Sequence, residues 1–177
     1  YTQGDTSVKY NFNETTVNLG LSVPFTFTAG KFNKYILLNL SNTLYSRSNF
    51  TSKESNSLVG TIHSLNYQII AYRLLKQAQK DLQPKWGNIL ILTYKHTPFG
   101  NNNLGEVLGI ETRNYFPSLW RNHGIRIDLR IQSKKPGVYA YSNAIAMPRG
   151  YLIRNFSEFG VAAINYKFPV AYPDWSL

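Results

Sequence analysis

From Thr16 to Thr28 the odd positions are Val17, Leu19, Leu21, Val23, Phe25 and Phe27, and the even ones are Asn18, Gly20, Ser22, Pro24, Thr26 and Thr28. Gly124–Gln132 repeats the pattern, with Ile125, Ile127, Leu129 and Ile131 alternating with Arg126, Asp128, Arg130 and Gln132. A period of two held this long predicts strands with one apolar and one polar face. Weaker copies follow at Lys34–Tyr45 (Ile36, Leu38, Leu40, Leu44), Thr61–Arg73 (Ile62, Leu65, Tyr67, Ile69, Tyr72) and Asn88–His96. Gly105–Phe116 and Gly160–Val170 complete a set of seven strands, and Ser7–Phe12 is a candidate eighth. Between them lie turn-rich stretches such as "AGKFNK", "LQPKWGN" and "FGNNNLG". "LLKQAQKDL" reads either as a short helix or as a strand end running into a turn.

These strands are long. Ordinary strands run about 5–6 residues, whereas strands that cross a bilayer need about 9–11. The polar faces carry charge, as at Arg126, Asp128 and Arg130, which suits a wet lumen better than the inside of a sandwich. Phe25, Phe27, Tyr45, Tyr115, Phe116, Trp120, Tyr172 and Trp175 sit near strand ends, where interfacial aromatics belong. The fold class expected is therefore all-β, an antiparallel transmembrane barrel segment. The competing reading is a soluble antiparallel sheet whose apolar face packs a core.

Composition narrows the chemistry. The 177 residues suit one domain, 1–177. Cysteine is absent, which excludes disulfides and thiol chemistry. The net charge of +10 suits an anionic partner or simply a solvated basic surface. His63, His96 and His123 have no metal-ligand spacing, and no nucleophile elbow or phosphate-binding glycine pattern occurs. Glu106 and Glu111 are five residues apart and point to opposite faces of a strand. No catalytic set, metal or cofactor is expected. Lysines and arginines are scattered without an aromatic-interleaved run, so no nucleic-acid partner is expected either.

A motif lies in the long loop expected at about 134–157. "PRGY" (Pro148, Arg149, Gly150, Tyr151) is followed by a strand containing "NYKFP". The pair resembles the [VI]RG[FY] loop motif and following strand of the Omp85, BamA-like surface antigen (D15) outer-membrane barrels. "RNYFPSLWRNHGIRIDLRIQ" is similar to the family's preceding hairpin and "KDLQPKWGN" to one of its periplasmic turns.

The resemblance implies a portion of a sixteen-stranded barrel at the bacterial outer membrane that assists insertion or translocation of proteins. It also implies outer-membrane lipid and lipopolysaccharide as surroundings, with client outer-membrane proteins and periplasmic or lipoprotein accessory subunits as partners. In the family the loop folds back into the barrel, so Arg149 is expected to pin it to the lumen wall. The candidate partners are Asp128, Glu158, Asn165 and Lys167. The family often has a glutamate where this chain has Asn165. Two alternatives remain open: a passive channel or structural barrel without clients, and a soluble β-rich binding domain.

Overall fold

The computed structural model describes residues 11–28, 30–51, 60–78, 81–99, 105–120, 122–135, 141–148, 150–151 and 156–170, the side chains of 11, 12, 47–51 and 60 excepted. Seven strands form: β1 (Asn11–Phe27), β2 (Phe32–Thr51), β3 (Gly60–Leu75), β4 (Gly87–His96), β5 (Glu106–Pro117), β6 (Gly124–Lys135) and β7 (Glu158–Lys167). They make one antiparallel sheet in sequence order, each strand bonded to its neighbours in the chain. The described residues contain no helix. The sheet is open: β1 and β7 are its edges and do not pair with each other.

The alternation located every one of the seven strands. β1 and β2 extend further than it suggested, to 17 and 20 residues. Asn11 and Phe12 open β1 rather than closing a separate strand, and residues 7–10 lie outside the described residues. The start of "LLKQAQKDL" is strand end rather than helix: Leu74 and Leu75 close β3, and Lys76–Ala78 are irregular.

The register aligns side chains into rows across the sheet. One row runs Phe25, Ile36, Ala71, Leu90, Thr112, Leu129 and Ala162. A row of opposite parity runs Ser22, Asn39, Gln68, Thr93, Gly109, Gln132 and Phe159. Because side chains alternate between faces, the sheet has one predominantly apolar and one predominantly polar surface. The apolar surface is bare: Leu19 is 67% exposed, Leu21 63%, Ile131 62% and Ile164 76%. The few buried apolar residues, Ile62, Val107, Tyr141 and Ile145, belong to the polar side and to the β6–β7 loop.

Two turns brace one end of the sheet. The Lys76 amide donates to the Lys31 carbonyl (3.0 Å), which ties the β3–β4 turn to the β1–β2 turn. Asp81 accepts from the Ala78 amide at 2.9 Å and pairs with Lys85 at 3.3 Å. The Ala78 N–H is the main reason its carboxyl is held below the usual carboxylate range, with Lys85 adding to it.

Of the aromatics expected as interfacial girdles, Phe25, Phe27 and Phe116 lie on the apolar face. Tyr45 and Tyr115 instead belong to polar rows, opposite Ile62 and Arg126. Position near a strand end did not decide the face, since one residue's shift in parity reverses it. Tyr172 and Trp175 lie outside the described residues.

Candidate functional site: a loop docked on the polar face

The β6–β7 loop returns over the polar face of β5 and β6. Gly109 makes room for it. A Cβ there would stand 2.8 Å from the Ala144 Cβ and 3.2 Å from the Ile145 side chain, so only a glycine allows this approach. Ile145 is 3% exposed, and Val107, in the next polar row, is fully buried.

Gln132 clamps the loop. Its Oε1 accepts from the amides of Ala144 (2.6 Å) and Ile145 (3.4 Å). Its Nε2 donates to the Phe156 carbonyl (3.0 Å) and the Asn143 Oδ1 (3.3 Å). One side chain, 1% exposed, thus holds the loop at two places. Lys134 Nζ donates to the Tyr141 carbonyl (2.7 Å) and the Asn143 Oδ1 (3.0 Å), and Arg130 Nη1 donates to the Ala146 carbonyl (3.1 Å). On the far side, the Tyr141 hydroxyl lies 3.0 Å from Ser64 Oγ on β3.

Beside the loop is a buried charge cluster. Asp128 is 2% exposed, and its Oδ2 accepts from Arg126 Nη2 (2.9 Å) and Asn165 Nδ2 (3.2 Å). Its Oδ1 has no hydrogen-bond partner among the described residues. Glu111 and Arg130, opposed on β5 and β6, form an ion pair at 3.3 Å.

The four residues named as candidate partners of Arg149 separate. Asp128, Asn165 and Lys167 share the polar face. Glu158 opposes Ser133 on the other parity, so its side chain is not aimed at the cluster. Asn165 donates its amide N–H to Asp128, and its Oδ1 is a separate acceptor. Arg149 itself lies outside the described residues. Around it, Gly150 adopts φ +85° with open space where a Cβ would be, and the Tyr151 amide reaches the Pro148 carbonyl at 3.4 Å. The glycine therefore serves the turn's left-handed backbone rather than a close approach. Tyr151 is 71% exposed and packs little.

Sequence reasoning missed Gln132, Lys134, Ser64, Tyr141 and Gly109. Only Gly109 carried a signal, as a glycine inside a strand pattern. The described residues contain no group of His, Asp and Glu able to hold a metal. Compared with protein-family models, curated proteins and solved structures, the chain matches none. The family reading rests on the residues quoted from the sequence.

Proposed function

We propose that this chain is part of an Omp85-type outer-membrane β-barrel that assists insertion or translocation of proteins, with the polar face toward the lumen and the apolar face toward lipid. The observation that carries the membrane reading is the choice of face. Among the described residues, the β6–β7 loop spends its apolar side chains on the polar face, leaving rows of Leu, Ile, Val and Phe bare. A soluble sheet gains most by covering its apolar face, whereas lipid does that for a barrel wall. Backbone groups at β1 and β7 could not remain unpaired in a bilayer, so the seven strands belong to a larger closed sheet.

In this reading Asp128 is the acceptor for Arg149. It is a buried carboxylate on the proposed lumen face whose Oδ1 has no partner among the described residues, and a guanidinium N–H suits that oxygen. A passive channel is the second reading, favoured by the excess of Lys95, Arg113, Arg126, Arg130, Lys134 and Lys167 over Glu14, Glu111 and Asp128 among the described side chains of the polar face.

Carbonate-resistant membrane association and a drop in outer-membrane protein levels on depletion are the expected results. Clean solubility without detergent would remove the membrane reading. Anion-selective conductance with no assembly defect would leave the channel. For the latch, Arg149→Asp and Asp128→Arg are each expected to expose the loop to protease and the pair together to restore protection. No rescue by the pair would discard Asp128 as acceptor.

A further inference from the structure

On the apolar face, at the turn end, Lys34 and Arg73 stand directly opposite each other on β2 and β3. Like charges in directly opposed positions repel, and neither has an acidic partner among the described residues. Of the described carboxylates, Asp81 is taken by the Ala78 amide and Lys85, Glu106 by Lys135 and Tyr94 at the other end of the strands, Glu14, Glu111 and Asp128 lie on the polar face, and Glu158 opens β7 opposite Ser133. Lys31 and Lys76 in the adjoining turns add to the positive field. Asn88 is the next residue in the row.

Below this pair is a groove of about 740 Å³. Its floor is Ala71, the one small side chain between Ile36 and Leu90 in the adjacent row. A second hollow of about 290 Å³ lies on the turn side, lined by Trp86 and Phe116. Arg73 borders both. Its guanidinium rests over the Phe32 ring at 4.3 Å, which directs it toward the turn end, away from the apolar band.

An uncompensated Lys–Arg pair above an apolar trough fits an amphiphile with an anionic head. We infer that this is a site for an anionic glycerophospholipid. Arg73 and Lys34 hold its phosphodiester, and an acyl chain lies over Ala71 between Ile36 and Leu90. Arginine supplies a planar fork for two phosphate oxygens and lysine a mobile point charge. The inference rests on the membrane reading proposed above.

The test reconstitutes the protein in phosphatidylcholine vesicles carrying a trace of spin-labelled phosphatidylglycerol or phosphatidylcholine. The readout is the fraction of label immobilised by the protein. Phosphatidylglycerol is expected to be preferred, with the preference falling about fivefold for each cation removed in Lys34→Gln and Arg73→Gln. Ala71→Leu fills the groove while leaving both cations, and is expected to lose most of the immobilised fraction. Insertion without a preference, or a preference unchanged in the glutamine variants, would overturn the site and leave the membrane reading intact. Failure to insert at all would remove both. Full competition by chain-free glycerophosphate would show a phosphate site and overturn the lipid assignment.

Discussion

The polar row that begins at Ser22 differs at its two ends. Over β2–β4 it is a neutral ladder: Asn39 donates to Gln68 at 3.2 Å and Gln68 to Thr93 at 3.4 Å. Over β5 and β6 the same row becomes Gly109 and Gln132, and the amide turns away from the sheet to bind a loop. The neighbouring row toward the turns also changes, from Leu37, Ile70 and Ile91 on β2–β4 to the ion pair of Glu111 and Arg130 on β5 and β6. Amides thus serve two purposes on one surface. In the ladder each bond joins part-buried side chains of adjacent strands. Under the loop each bond replaces water that has been excluded, and excluded polar groups are costly to leave unpaired.

Substitutions should expose this contrast. The largest effect is expected for Gln132→Leu, which orphans the amides of Ala144 and Ile145 and the Phe156 carbonyl. At about 1–3 kcal/mol for each buried group left unpaired, the loop should undock, and hydrogen exchange at Ala144 and Ile145 should rise to loop rates. Unchanged exchange there would mean that the clamp contributes little. Gly109→Val drives methyl groups into Ala144 and should cost about 1–3 kcal/mol of docking, seen as protease sensitivity of the loop with strand circular dichroism preserved. Gln68→Ala removes two ladder bonds and should cost no more than about 1 kcal/mol each. A Gln68→Ala loss as large as that of Gln132→Leu would erase the distinction between the two ends.

The strands were legible because alternation is a local signal, and thirteen positions from Thr16 to Thr28 repeat it without a break. The pairing of β1 with β2 and of β5 with β6 follows from short turns. The docking of the loop was not legible. Gln132 looks in sequence like one more polar residue on the solvent side of β6, and its partners lie 11 to 24 residues away in a stretch with no periodicity. Asn165 shows the same limit from the other direction. Its place on the polar face was predictable, but that its amide N–H would donate to Asp128, 37 residues earlier, was not.

The bond between Ser64 and Tyr141 joins residues 77 apart and reaches from the loop back to β3. With Gln132 and Lys134 fixing the loop on β6, the loop subtends the arc of four strands as a chord. A chord of fixed length sets the radius of its arc. In the barrel proposed above, release of that hydroxyl contact would let β3 and β6 swing apart, and the loop would act on the bore.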